Sequence, residues 1–226
     1  MKFRRITFYC ILFVGLMVAC IGACSMATTE STKVSLKPLS QFTPAERYIV
    51  AVIPFEYKGE QEQYRILSNK LDDLIIGEIL QTGRFRVVER SRIDAILKEM
   101  VLSQTGIIDE KTAGKIGKQL GAEMVLVGSL TAVNPIKKRD SMGSTMWRET
   151  RGFEISLQGR LTNIVRGEIV AATKATGMEA QQEKMAFGAK TGLIAPEETL
   201  LNKAMETAVR ILVNKLAGQI MPKSGP

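Results

Sequence analysis

The stretch Ile49-Val50-Ala51-Val52-Ile53-Pro54-Phe55-Glu56-Tyr57 decides how the rest of the chain can fold. Its β-branched residues favour an extended backbone, and apolar side chains stand at consecutive positions, so both faces of the strand must be covered. Pro54 and the following Lys58-Gly59 bring the strand to an end. We therefore predict a buried, central first strand over 49–57.

The elements that follow this strand in the chain are predicted from two periodicities. Apolar residues three and four apart predict helices, whereas alternating apolar and polar residues predict half-exposed strands. In chain order the further elements are a helix from Leu67 to Ile79, a strand from Phe85 to Arg90, helices begun by Ser91 and Asp109, strands from Met124 to Val133, Phe153 to Leu161 and Glu168 to Thr176, and a helix from Pro196 to Leu216. This order predicts an α/β fold: a mixed β-sheet of about five strands, with helices packed mostly on one face.

Composition narrows the possible functions. The 226 residues contain no histidine, which removes the commonest metal ligand and general base, and the three cysteines all lie within the first 24 positions. Gly114, Gly117 and Gly121 lie within a helical pattern, which indicates close helix packing rather than a phosphate loop. We expect no catalytic residues, no cofactor and no metal site. The protein is therefore predicted not to be an enzyme.

The charge balance does not indicate a nucleic-acid partner. The formal net charge is +8, but Lys2, Arg4 and Arg5 belong to an N-terminal segment that we expect to be removed. The other Lys and Arg residues alternate with Asp and Glu instead of forming a stripe. Phosphate binding needs clustered positive charge, so a solvated surface is expected.

The N-terminus has the layout of a secretory signal, with cations in Met1 to Arg5 and an apolar run from Ile6 to Val18. Two stretches that follow resemble the lipobox of bacterial lipoproteins: Met17 to Cys20 and Ile21 to Cys24. Cys24 is favoured as the acylated residue, with Cys20 as the alternative, because a polar run begins directly after Cys24. We predict a leader over 1–23, a flexible tether over 24–47, one domain over 48–221 and a disordered tail over 222–226.

Four groups of motifs resemble the CsgG family, whose best-known member is the curli secretion lipoprotein of the outer membrane. They are Ala51 to Phe55; Phe85 to Arg90 with Ile96 to Glu99; Ala113 to Glu123 leading into Val127 to Ser129; and Gly167 to Ile169. The resemblance spans Ile49 to about Leu216. It implies an oligomeric ring of periplasmic domains. Each domain would contribute β-hairpins to an outer-membrane barrel through which unfolded subunits pass. Ser25 after Cys24 looks like an outer-membrane sorting signal.

Two segments could correspond to the membrane hairpins of that family. Asn134 to Arg151 and Met178 to Leu193 both carry charges at mixed parity, whereas a lipid-facing strand needs an apolar residue at every second position. We expect both segments to be exposed periplasmic loops. Met146 and Trp147, which stand in an otherwise polar stretch, are predicted to contact a partner.

Two hypotheses of function follow. The first is a non-enzymatic outer-membrane lipoprotein of the CsgG type, lipid-anchored on the periplasmic face, which assembles or secretes surface polymers as a homo-oligomeric ring. Its expected partners are a secreted protein cargo or an envelope protein. The second is a monomeric periplasmic adaptor that resembles the lipoprotein activators of peptidoglycan synthases. The oligomeric state in detergent distinguishes the two.

Overall fold

The computed structural model describes residues 30–31, 36–99, 110–141 and 143–223. The strands are β1 (Glu30–Ser31), β2 (Tyr48–Val52), β3 (Glu56–Tyr57), β4 (Phe85–Val87), β5 (Met124–Ser141), β6 (Met146–Asn163), β7 (Glu168–Ala186) and β8 (Ala189–Thr191). The helices are α1 (Leu67–Gln81), α2 (Arg90–Glu99), α3 (Glu110–Gln119) and α4 (Glu197–Gly218), with a 3-10 turn at Glu62–Tyr64. The predicted lipidation residues Cys20 and Cys24 lie outside the described residues.

All the described strands belong to one mixed sheet in the order β1-β7-β6-β5-β2-β4, with β3 paired to β5 and β8 to β7. β2 pairs in parallel with β4 and with β5, because helices connect these strands. β5, β6 and β7 form a long antiparallel meander. The predicted α/β class with a mixed sheet is confirmed. β1, β3 and β8 add short strands at its margins.

Pro54 divides the predicted first strand into two. β2 ends at Val52 and pairs with β5 through Val50 to Val52, whereas β3 pairs further along the same strand. The peptide N–H of Phe55, released from the ladder at this break, donates a 2.9 Å hydrogen bond to Oδ1 of Asp72 in α1. The side chains of 50–53 are buried, as a central strand requires.

Helices cover both faces of the sheet at its parallel end. α1 and α4 pack on one face, against a core that contains Val50, Leu126, Leu157 and Leu212. α2 and α3 cover the other face of β2 and the start of β5 with a smaller cluster, which includes Ala51, Ile53, Ile93, Ile116 and Val125. The rest of that second face, along β5, β6 and β7, carries no helix among the described elements.

Gly177 in β7 lets α4 lie directly on the sheet. A Cβ built at Gly177 would be 2.3 Å from the backbone N of Ala208 and 2.4 Å from the carbonyl O of Ala204. Neither backbone atom can rotate away, so only glycine fits at this position. The small residues Ala204 and Ala208 on the helix side complete the close approach.

The domain begins before the predicted boundary at residue 48. Phe42, within the predicted tether, is only 6% exposed, and Leu36 and Leu39 pack on the main core. The Arg84 guanidinium binds this segment: its Nε donates to the carbonyl O of Ser40 at 2.9 Å, and its plane stacks on Phe42. The apolar side chains are spaced among polar residues without a period, which explains why the sequence alone indicates a tether.

The segments 134–151 and 178–193 are mostly strand, which corrects their prediction as exposed loops. β5 continues through Ser141 and pairs with β6 down to Ser141↔Trp147, while β6 pairs with β7 as far as Met146↔Ala186. The ladder hydrogen bonds are backbone bonds and do not depend on which side chains are apolar. Charged residues at both odd and even positions therefore indicate strands whose two faces both contact solvent here.

Candidate functional site

The ends of β5, β6 and β7 project beyond the helices as a separate surface. We call the extension formed by 134–141, 146–151 and 181–191 the distal ribbon. None of these residues is buried, whereas alternate residues of the same strands are buried closer to α4. A sheet extension without a core contributes little to stability through burial. Such an extension presents both of its faces to other molecules.

Trp147 lies near the end of the distal ribbon between two cations. The Arg139 guanidinium carbon is 4.8 Å from the centre of the indole ring, and Nζ of Lys190 is 5.8 Å from it. The ladder pairs Trp147 with Met185 on β7 and with Ser141 on β5. Cation–π contacts of this kind stabilise exposed sites by about 0.5–1 kcal/mol each. They restrict the indole to a position between Arg139 and Lys190.

Phe187 stands at the tip of the β7–β8 hairpin in an unfavourable backbone conformation. Its φ is +49°, and that of Gly188 is +83°, so the two central residues of the turn both have the positive φ of a type I′ hairpin. Asn or Gly normally occupies the first of these positions. The Phe187 side chain is 81% exposed, so packing within the described residues does not explain its presence.

Both faces of the distal ribbon are charged, with basic residues in excess. Residues 136–151 and 181–193 include seven Lys or Arg and three Asp or Glu, a net formal charge of +4. Ion pairs join Lys137 to Glu197 at 3.1 Å, Lys138 to Asp140 at 3.5 Å and Lys190 to Glu183 at 3.2 Å. Exposed pairs of this kind add little stability. The excess positive charge is the feature that a partner would meet.

A shallow groove of about 440 Å³ lies on the helix-free face of the sheet, nearer the parallel end. Its lining includes Ser129, Gln158 and Lys174, and Nε2 of Gln158 donates a 2.8 Å hydrogen bond to Oγ of Ser129. The carboxylate of Glu56 at its margin is paired with Lys58 at 3.0 Å. Hydroxyl, amide and ammonium groups in an open groove can bind a polar ligand or another chain.

Asp72 is a buried carboxylate that joins three elements. Besides accepting the Phe55 N–H, it forms a 2.9 Å ion pair with Arg90 at the start of α2, and Arg90 also lies 3.8 Å from Asp94. Burial raises the pKa of Asp72 from 3.8 to about 6, although the hydrogen bond from Phe55 and the charge of Arg90 oppose this shift. Asp72 therefore links α1 and α2 to Phe55, the residue before β3.

Neither a metal site nor a membrane helix is found in the described part of the chain. Residues 36–99, 110–141 and 143–223 contain no group of three or more acidic or cysteine side chains placed to hold a metal ion. Within the same ranges, no helix combines the length and apolar character needed to cross a bilayer.

The structure places Met146 and Trp147, the predicted partner contacts, side by side at the end of the distal ribbon. Sequence reasoning missed Phe187, Arg139 and Lys190, which the hairpins bring to the same end. Ala186-Phe187-Gly188-Ala189 resembles a two-residue turn, with glycine at its second central position, and this signal could have located the hairpin. The proximity of Arg139 and Lys190 to Trp147 depends on strand register, which no local motif reveals.

The architecture is that of an α/β domain with an open mixed sheet, which has helices on both faces of its parallel end and continues into a long antiparallel meander. A family model described as "Curli production assembly/transport component CsgG" matches residues 29–224. The chain therefore belongs to the CsgG family, as the sequence motifs indicate. No protein with a curated description matches the chain.

Three solved structures illustrate what the chain resembles. The LpoB C-terminal domain from Escherichia coli shares 16% identity at a TM-score of 0.43, over 62% of this chain and 88% of that one. The PelC dodecamer from Paraburkholderia phytofirmans shares 9% identity at a TM-score of 0.36, over 82% and 98%. A putative neuraminyllactose-binding hemagglutinin homolog from Helicobacter pylori shares 12% identity at a TM-score of 0.44, over 82% and 94%.

Proposed function

We propose that this chain is a lipoprotein of the outer membrane, acylated at Cys24 and facing the periplasm, which acts without catalysis in the assembly or secretion of cell-surface polymers. In this proposal it works as a homo-oligomeric ring that guides a secreted protein cargo. The observation that carries the proposal is the family match over residues 29–224, because the family is described as an assembly and transport component.

The N-terminal sequence supports attachment to a membrane. Cations, an apolar run and small residues precede Cys24, and small side chains before the scissile bond are what a lipoprotein peptidase needs. Acyl chains contribute about 0.8 kcal/mol per buried methylene, so several chains on one cysteine give a firm anchor. Ser25 after Cys24 favours the outer membrane.

The described domain supports a role in binding rather than in turnover. Of its buried carboxylates, Asp72 is occupied by Arg90 and the Phe55 N–H, and Glu179 lies 3.9 Å from Nζ of Lys203. The groove carboxylate Glu56 is paired with Lys58. General acid–base catalysis needs a titratable group within reach of a substrate. The surfaces left for function are the helix-free groove and the distal ribbon, which suit contacts with proteins or lipids.

The full-length chain, produced in a Gram-negative host and extracted from membranes in detergent, tests the proposal in two measurements. Intact mass spectrometry is expected to show loss of residues 1–23 and a lipid adduct, which Cys24→Ala abolishes and the matched control Cys20→Ala retains. Loss of the adduct only in Cys20→Ala would move the anchor to Cys20. An unprocessed chain without lipid would contradict the proposal.

Light scattering of the same preparation measures the oligomer. We expect a particle several times the mass of one chain. A monomer at micromolar concentration would contradict the ring and support instead a monomeric adaptor of an envelope enzyme. Co-purification of such an enzyme with the monomer would then identify the partner.

A further inference from the structure

We propose that the end of the distal ribbon docks on the surface of an anionic phospholipid bilayer. In this arrangement Trp147 and Phe187 enter the headgroup region, and neighbouring Lys and Arg side chains contact lipid phosphates. The proposal assigns a function to the charged hairpins that goes beyond the proposed role in assembly or secretion. Three independent features of the structure support it.

The first feature is an aromatic side chain held in solvent at the end of the distal ribbon. Phe187 is 81% exposed, and its peptide N–H donates a 3.2 Å hydrogen bond to the carbonyl O of Thr145, directly before Met146. An exposed phenylalanine at positive φ is unfavourable in two ways, because its apolar ring contacts water and its backbone adopts a conformation that bulky residues rarely take. Aromatic rings of this kind are favoured at the membrane–water interface.

The second feature is the charge around these residues. Arg139 and Lys190 flank Trp147, and the distal ribbon as a whole carries its excess of four positive charges close to the tip. Basic side chains next to an anionic membrane strengthen binding by about fivefold each. Because charges occupy both faces of the ribbon and the apolar residues stand at its end, contact with the bilayer surface fits better than burial of the ribbon in hydrocarbon.

The third feature is the direction of the N-terminal segment. β1 is antiparallel to β7, with Glu30 opposite Ala180, so the N-terminal end of β1 faces the end of the ribbon. Five residues lie between Cys24 and Glu30, and the six Cα–Cα steps can span at most about 20 Å. Phe187 lies seven residues beyond Ala180, which is about 23 Å along a strand. An acyl anchor on Cys24 and the ribbon tip can therefore reach the same bilayer. This step alone rests on the proposed lipidation.

Trp147 is the only tryptophan in the chain, so its fluorescence reports on the ribbon tip without labelling. The experiment uses the full-length protein purified in detergent and reconstituted into phosphatidylcholine vesicles with or without phosphatidylglycerol. Brominated phospholipids quench a tryptophan that contacts the bilayer. We expect quenching in the vesicles that contain phosphatidylglycerol, and a blue shift of the emission relative to the neutral vesicles.

Two variants and a matched control sharpen the test. Lys190→Gln is expected to lower the ratio of quenched to unquenched Trp147 about fivefold. Phe187→Asn should also reduce quenching while relieving the turn, because asparagine tolerates positive φ. Val165→Asn is the control: Val165 is 85% exposed, but it lies in the β6–β7 turn at the opposite end of the sheet. It should leave quenching unchanged.

The outcomes separate this proposal from the proposed lipidation. Absence of quenching in a preparation whose mass shows acylated Cys24 would overturn the docking of the ribbon and leave the lipoprotein intact. Quenching without any lipid adduct would support docking and contradict the anchor. A blue shift that follows protein concentration and is the same in both vesicles would overturn docking in favour of contact with a second protein chain.

Discussion

The three long strands of the sheet behave differently in their two halves. Where α4 covers β6 and β7, residues at every second position are buried, as Ile155, Leu157 and Leu161 illustrate. Beyond Phe153 the same strands continue with unbroken pairing, but no described side chain of the distal ribbon is buried. The alternating pattern therefore reflects burial under the helix that lies over the strand. Strand formation itself requires only backbone pairing with the neighbouring strands.

The largest expected contrast comes from truncating one side chain in each half of β6. Leu157→Ala is expected to destabilise the protein by about 2–5 kcal/mol, because Leu157 is only 1% exposed and its removal leaves a cavity under α4. Thr150→Ala, in the ribbon of the same strand, should change the free energy of unfolding by less than about 0.5 kcal/mol. Urea denaturation measures both. Equal effects would show that the ribbon has a core of its own.

A second contrast is electrostatic and involves Asp72. Its pKa of about 6 lies above the ordinary 3.8, so between these values the folded carboxyl binds more protons than the unfolded one. The contribution of Asp72 to stability is therefore complete below about pH 4 and is lost as the pH rises through about 6, by up to about 3 kcal/mol.

Asp72→Asn isolates this contribution, because an amide oxygen can still accept the Phe55 N–H but does not titrate. We expect the free energy of unfolding of the variant, measured relative to the wild type in urea, to rise between about pH 4 and about pH 7. Other carboxylates titrate in both proteins and cancel in the difference. A difference that stays constant with pH would refute the raised pKa of Asp72.

A smaller effect tests how closely α4 approaches the sheet. Gly177→Ala is expected to cost about 1–3 kcal/mol, since the new methyl would meet the backbone of Ala204 and Ala208. Gly159→Ala on the neighbouring strand is the matched control. A Cβ there would lie 3.4 Å from the nearest atom, a methyl of Leu212, which is ordinary contact. Thermal unfolding of the two variants should differ clearly; similar melting temperatures would contradict the close approach at Gly177.

The sequence predicts the covered half of the fold well, because burial leaves a pattern there. The helix expected from Leu67 to Ile79 corresponds to α1, and the apolar run at 49–57 forms β2 and β3, each of which pairs with β5. The extension of β5 to Ser141 could not be predicted in the same way. A register shift between Leu130 and Ala132 interrupts the alternation, and Pro135 follows.

The candidate site shows the same division. Trp147 and Met146 stand out locally, so the sequence indicates them. Arg139 and Lys190 lie near Trp147 only because β5 pairs with β6, β6 with β7 and β7 with β8 in one fixed register. The exposure of Phe187 depends on a turn that folds back at one particular residue. Long-range pairing therefore determines most of the site, and local composition determines little of it.

The position of Arg84 has a mechanical consequence. Its guanidinium holds the carbonyl of Ser40 together with those of Ala217 and Ile220, at 2.9, 2.7 and 3.1 Å. Tension transmitted from the N-terminal side would act first on the pairing of β1 with β7, and any load that reaches residue 40 would be passed by Arg84 to the end of α4.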